Sequence, residues 1–199
     1  MKEGQLRKLI ALVMILTTVL SGCQSMESND LGMDYSSKIV TGGDYSMFLK
    51  PDGNLWGWGD NDYYELGDGT TNTHTEPIMI MADIVDVKTS NGHTMVLKTD
   101  GSLWGWAPGY EGSGYAGGTL TPSHIMDDVS VFSIDQYSFH SMVIKTDGSL
   151  WAWGNNSWGR LGNGASHHVL QPEKIMSDVA KIAIDSYNTF AIQADGSLW

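Results

Sequence analysis

Few residue types in this chain are equipped for chemistry, and their spacing narrows the choice further. The 199 residues include six histidines and a single cysteine, Cys23. One cysteine permits neither an intrachain disulfide nor a cysteine-based metal site. His93 and His140 head two near-identical hexapeptides, His93-Thr-Met-Val-Leu-Lys and His140-Ser-Met-Val-Ile-Lys. That recurrence points to a structural duty, such as bonding a turn within each unit, rather than to a metal. His167 and His168 are adjacent, so on a strand they face opposite ways and cannot share an ion. Asp60-Asn61-Asp62 opens like a calcium loop but lacks glycine at the sixth position and glutamate at the twelfth. No Gly-x-Ser-x-Gly, His-Glu-x-x-His or phosphate-loop pattern occurs. Ser113, between Gly112 and Gly114, has no recognisable base beside it. The expectation is a non-enzymatic protein with no catalytic residue, no metal and no cofactor.

Contact chemistry is better provided. Tyr63, Tyr64, Tyr110, Tyr115 and Trp158 fall in long polar, glycine-rich stretches that read as loops. Aromatics on loops at one rim of a scaffold are candidate anchors for a partner, a protein or a glycan. The competing reading is that they pack beneath their own loops. Charge narrows the partner. The chain carries a formal −12, and because residues 1–22 are net +2, the remainder is −14. So acidic a body, with no Lys/Arg cluster, repels phosphates and argues against nucleic acid. The same charge argues against adhesion of the body to an anionic membrane.

The elements that must position these side chains are set by a repeat. Asp-Gly-x-Leu-Trp occurs four times, with Asp at 52, 100, 147 and 195, at intervals of 48, 47 and 48. Hexapeptides beginning at Tyr45, His93, His140 and Asn188 each precede their Asp by seven residues. Pro77, Pro122 and Pro172 are each followed four residues later by Met81, Met126 or Met176. Read physically, Ile84-Val-Asp-Val is a first strand, and the continuously apolar Met95-Val96-Leu97 is a strand buried on both faces. Thr99-Asp100-Gly101-Ser102 is a hairpin turn in which glycine supplies the positive φ. Leu103-Trp104-Gly105-Trp106 returns, with both tryptophans on one face and Leu103 with Gly105 on the other. The small residue (Gly57, Gly105 or Ala152) is expected to let a neighbouring sheet approach. Pro122 to Met126 then supplies an outer strand, where proline is tolerated at the edge. No segment holds a 3.6 period for ten residues. Four strands per 47–48 residues predict an all-β propeller whose blades are four antiparallel strands.

Around this frame, Trp153-Gly-Asn-Asn-Ser-Trp-Gly-Arg-Leu-Gly-Asn-Gly164 resembles the Trp-Gly-x-Asn and Gly-Gln-Leu-Gly motifs of the RCC1 (regulator of chromosome condensation) family. Trp58-Gly-Asp-Asn-Asp-Tyr-Tyr-Glu-Leu-Gly-Asp-Gly69 is similar, with Tyr64 where the first glycine of the second motif belongs. The middle unit, from Trp106, keeps glycines but not the motif. The resemblance covers residues 38–199, in approximate units 38–83, 84–128, 129–178 and a partial 179–199, about 3.4 repeats. Propellers close with roughly four to eight blades, so the expectation is an incomplete propeller whose open repeat array self-associates. Function within the family varies: the resemblance implies guanine-nucleotide exchange for some members and inhibition of β-lactamases for a secreted bacterial one.

The start of the chain supplies an address. Lys2, Arg7 and Lys8 precede twelve apolar residues, Leu9 to Leu20. As helix these would span about 18 Å, short of the roughly 30 Å bilayer core, so they fit a signal segment better than a permanent span. Leu20-Ser21-Gly22-Cys23 resembles the lipobox of bacterial lipoproteins. That resemblance implies a signal peptide over 1–22, acylation of Cys23 and a flexible, polar tether over 23–37. The location expected is extracytoplasmic, anchored to the cell membrane by lipid. A lipoprotein faces away from cytosolic GTPases, which makes nucleotide exchange an unexpected role. The function expected is a surface-tethered, non-catalytic binding module acting through rim loops. The rivals are an enzyme inhibitor of secreted type and a propeller-based hydrolase.

Overall fold

The computed structural model describes residues 37–90, 92–107, 119–135, 140–185 and 187–199. Each sequence period folds as one antiparallel meander. The first sheet is β1 (Lys38–Thr41), β2 (Tyr45–Leu49), β3 (Leu55–Gly59) and β4 (His74–Met81), in that order. The second is β5 (Ile84–Ser90), β6 (His93–Lys98), β7 (Leu103–Ala107) and β8 (Thr119–Met126). The third is β9 (Val129–Ile134), β10 (His140–Lys145), β11 (Leu150–Gly154) and β12 (Val169–Met176). β13 (Val179–Ile184) pairs with β14 (Thr189–Gln193) as the first half of a fourth. The first strands touch from sheet to sheet, β1 with β5, β5 with β9 and β9 with β13, which makes them the innermost. The result is the expected propeller in incomplete form: three blades and part of a fourth, in an open arc.

The Asp-Gly turns show why the motif recurs. Gly53 N donates to Lys50 O at 3.0 Å, and Gly53 sits at φ +80. This is a tight turn closed by a residue in the left-handed region, which glycine enters without a steric penalty. The aspartate caps the turn: Asn54, Ser102, Ser149 and Ser197 donate their N–H to Asp52, Asp100, Asp147 and Asp195 at 2.9–3.0 Å. In the second and third blades the serine hydroxyl also donates to the aspartate and accepts the indole N–H of Trp104 or Trp151. The hydrogen bonds from Ser102 and Ser149 hold Asp100 and Asp147 below the ordinary carboxylate range. In the first blade Asn54 replaces the serine, and Trp56 Nε1 has no hydrogen-bond partner among the described residues.

The same turns latch one blade to the next. Ile84, Val129 and Val179 open their first strands by donating N–H to Gly53 O, Gly101 O and Gly148 O of the preceding blade, each at 2.9 Å. The residue before each, Asp83, Asp128 or Asp178, has φ near +60, a conformation a short polar side chain tolerates better than most. Its carbonyl accepts from Thr99, Thr146 or Ala194 of its own blade at 2.7–2.8 Å. Each inter-blade link is thus held from both sides.

Three apolar cores lie between successive sheets, within the compact unit Ser37–Trp199. Met47, Leu49 and Leu55 of the first blade face Val87, Val96 and Trp106 of the second. Met95, Leu97 and Leu103 face Phe132, Val143 and Trp153 of the third, and Met142, Ile144 and Leu150 face Val179 and Ala191. Period two therefore splits each strand between two cores, which is why these strands read as continuous apolar runs. Trp104 and Trp106 point back to the first core while Leu103 points forward to the second, as the alternation requires. Pro122 lies on β8, the outermost strand of its sheet. Bulges in the outer strands turn Ile80, Ile125 and Ile175 into the cores. One expectation is corrected. A Cβ on Gly57 would lie 2.9 Å from Met47 Sδ and 3.0 Å from Leu66 Cδ2, both in its own blade. The small residue makes room for the blade's own loop leucine rather than for a neighbouring sheet.

Candidate binding rim

In the first blade the first turn and the long loop before the outer strand emerge at one end, opposite the Asp-Gly turn, and the long loop 155–168 of the third blade lies at the corresponding end of its meander. The loops at that rim are built around a buried asparagine. Asn61 accepts from Leu66 N at 2.9 Å and donates through Nδ2 to Asp68 Oδ1 at 3.0 Å and Thr70 O at 2.8 Å. Asn156 repeats the pattern with Leu161 N, Asn163 Oδ1 and Ala165 O at 2.9–3.1 Å. One amide side chain thereby replaces the strand ladder the loop has left, satisfying backbone groups that burial would otherwise orphan. In the first loop the next blade adds a second tether. Trp106 Nε1 donates to Glu65 O at 2.7 Å, and a Cβ on Gly67 would lie 2.7 Å from the Trp106 ring. The Leu-Gly step of the motif is the floor on which that tryptophan sits.

The sequence departure at Tyr64 has a backbone consequence. Tyr64 has φ +63 where its counterpart Gly159 has φ +73, so a bulky residue occupies the left-handed conformation that glycine normally takes. Trp158 is also left-handed, at φ +62.

These loops present some of the candidate aromatics and not others. Tyr63 and Trp158 hold equivalent repeat positions and are 55% and 85% exposed. Tyr64 is half-buried. Tyr110, Tyr115 and Cys23 lie outside the described residues. Arg160, itself nearly buried, donates to Ser157 O at 3.1 Å and lies 5.8 Å from the Trp158 ring centroid, stiffening that loop. Sequence reasoning missed Tyr187, 71% exposed in the β13–β14 turn. Asp185 Oδ1 accepts from Tyr187 N and Asn188 N at 2.8 Å, which fixes the turn and holds the Asp185 carboxyl below its usual range. The signal was available: Tyr137 and Tyr187 both stand two residues after an aspartate that follows a first strand.

The rim is acidic. Its described turns and loops carry Asp44, Asp60, Asp62, Glu65, Asp68, Asp135 and Asp185 against Arg160 as the sole Lys or Arg. Partial burial alone would raise Asp68, but hydrogen bonds from Thr70, His74 and Asn61 hold it low. His93 and His140 take no part in this surface. Burial pushes each down to about 4. His140 Nε2 reaches across to Thr189 Oγ1 of the next blade at 3.4 Å, and Tyr45, at the same repeat position, meets Thr94 Oγ1 at 3.0 Å. The repeated position bonds between blades. Among the described residues no group of three His, Cys, Asp or Glu comes together to hold a metal.

This repeat architecture matches a known family. The model of the Regulator of chromosome condensation (RCC1) repeat matches residues 52–97 and 147–192, and a second model of the same description matches 37–65 and 133–160. The chain is an RCC1-like repeat protein. Human WBSCR16 is similar at a TM-score of 0.62 and 21% identity, over 77% of this chain and 43% of that one. Yeast RCC1 (Prp20), solved with Kap60 bound, is similar at 0.62 and 20%, over 80% and 42%. Prp20p from Saccharomyces cerevisiae, in a study of its binding to Gsp1p and histones, gives 0.61 and 18%, over 80% and 43%. This RCC1-like chain thus spans a little over two-fifths of the length of these structures, and at such identities the likeness is one of fold. No curated protein matches it.

Proposed function

We propose that this RCC1-like chain is a non-catalytic module that binds a protein through its acidic, aromatic rim. The observation that carries the reading is the pair Tyr63 and Trp158, exposed on loops whose backbones are pinned by Asn61 and Asn156. An exposed aromatic on a rigid loop loses little conformational entropy on contact, so more of its burial appears as affinity. Fold neighbours such as Prp20 are recorded with protein partners, Kap60 among them, which supports a protein over a glycan as ligand class. The surrounding carboxylates favour a partner of positive charge. Replacing Tyr63, Tyr64 and Trp158 together by alanine is expected to abolish capture of the partner while leaving the far-UV spectrum intact. Each anchor contributes on the order of 2 kcal/mol. Unchanged capture by the triple variant would retire the reading.

The module is placed outside the cytoplasm by acylation at Cys23. The support is the basic start, the twelve-residue apolar run and the Leu-Ser-Gly before the cysteine. Two or three acyl chains, at about 0.8 kcal/mol per buried methylene, anchor stably where one would not. Cys23→Ala should leave the chain uncut at that position and unlabelled by a fatty-acid probe; a labelled variant contradicts the anchor.

A further inference from the structure

The long rim loops of the first and third blades share one frame and differ in charge. Asn61, Tyr63, Leu66 and Gly67 correspond to Asn156, Trp158, Leu161 and Gly162, and the buried asparagine makes the same three kinds of hydrogen bond in both. The charged positions do not repeat. Asp60, Asp62, Glu65 and Asp68 stand where the third blade has Asn155, Ser157, Arg160 and Asn163. With histidine counted as neutral, residues 60–73 therefore carry −4 and residues 155–168 carry +1, from Arg160. The reversal is sharpest at Glu65 and Arg160, one repeat position that is nearly buried in both loops. Each is tied to the turn that carries its aromatic: Glu65 Oε2 accepts from Tyr63 N at 2.9 Å, and Arg160 Nε donates to Ser157 O at 3.1 Å. The Arg160 guanidinium also lies over the Trp158 ring, 5.8 Å from its centroid.

We infer that the rim holds two unlike subsites, the first-blade loop taking a cationic side chain of the partner against Tyr63 and the third-blade loop an uncharged, apolar one against Trp158. The inference rests on the rim being a contact surface and adds the chemistry that each half selects. A lysine or arginine head brought to Tyr63 finds an aromatic ring set among carboxylates, with Asp62 exposed, Asp60 half-buried and Glu65 behind the Tyr63 N–H. At Trp158 the same head would meet a guanidinium already on the indole, in a loop without a carboxylate, and like charges brought together cost affinity. An apolar side chain meets no such repulsion and buries against the indole. Glu65 and Arg160 are thus positioning residues whose opposite signs make two similar aromatics selective for different groups.

Probes too small to span both loops test the halves separately. The full chain, in non-ionic detergent, is labelled with 3-fluorotyrosine at position 63 or with 5-fluorotryptophan at position 158. Trilysine is expected to shift the fluorine resonance at 63, in a salt-sensitive way, and to leave that at 158 in place. N-acetyl-leucine amide should shift 158 more than 63. Glu65→Gln is expected to lose most of the trilysine shift at 63. Arg160→Gln should make 158 respond to trilysine, and Arg160→Lys, which keeps the charge, should restore the wild-type silence. Equal responses to trilysine at the two positions, or a response at neither, overturn the inference. That wild-type comparison decides it even where a variant fails to fold. A folded Arg160→Gln that behaves as wild type overturns it as well. The resonances are read without the partner. Selectivity without capture of any protein therefore retires the reading of a protein-binding rim, whereas capture without selectivity retires this inference alone.

Discussion

Trp106→Ala is expected to destabilise the protein by about 4 kcal/mol, near the top of the range for truncating a large buried aromatic. Trp106 is fully buried in the core between the first two blades, and its indole N–H holds the carbonyl of Glu65. Removing it opens a cavity and leaves a buried carbonyl without its donor, an added cost of roughly 1–3 kcal/mol where relaxation does not restore a partner. The control is internal to the repeat. Trp58 stands at the same position one unit earlier and is only half-buried among the described residues. Trp58→Ala should therefore cost less than half as much. Urea unfolding of the two variants measures the contrast, and equal losses would mean that the register derived for the blades is wrong.

Acidification is expected to weaken the fold well before carboxylates titrate. His93 and His140 are buried and held at about 4, against an ordinary 6.5. Between those values the unfolded chain binds protons that the folded chain refuses, so stability is complete above pH 6.5 and falls as the pH drops toward 4. A displacement of this size corresponds to about 3 kcal/mol for each histidine. The capped aspartates, among them Asp52, Asp100, Asp147 and Asp195, are held low by hydrogen bonds from the turns. Their contribution is present above their unfolded value and is lost only in more acidic solution. A urea midpoint that drops between pH 7 and pH 5, and drops far less in His93→Gln/His140→Gln, is the expected pattern. A midpoint flat over that interval would mean that the two imidazoles admit protons in the folded state.

Much of this architecture was legible because the repeat reports on itself. Asp-Gly-x-Leu-Trp announces a turn and a return strand, and alternation within Leu-Trp-Gly-Trp assigns each side chain to a core before any neighbour is known. Contacts between units were less visible. Nothing local to His140 says that its ring reaches Thr189, forty-nine residues on, and nothing local to Gly57 says that Leu66 from its own loop fills the space above it. The bulges that turn Ile80, Ile125 and Ile175 inward break the period-two pattern on which the strands were read. The rim was half legible. Composition marks long aromatic loops, but the exposure of Tyr63 and Trp158, and the burial of much of Tyr64, depend on where Asn61 and Asn156 fold the loops back. Tyr187 was missed because the signal for it is positional, a tyrosine two residues after the aspartate that follows a first strand, and composition does not mark so short a turn.

The binding rim is tested most directly by site-specific photo-crosslinking in the native setting. A photoreactive phenylalanine analogue at Trp158 is compared with the same analogue at Asp100, in the turn at the opposite end of the blades. The account expects a discrete protein adduct from position 158, absent from position 100 and competed away by added unlabelled protein. An adduct from position 100 alone, or equal diffuse labelling from both ends, would contradict it.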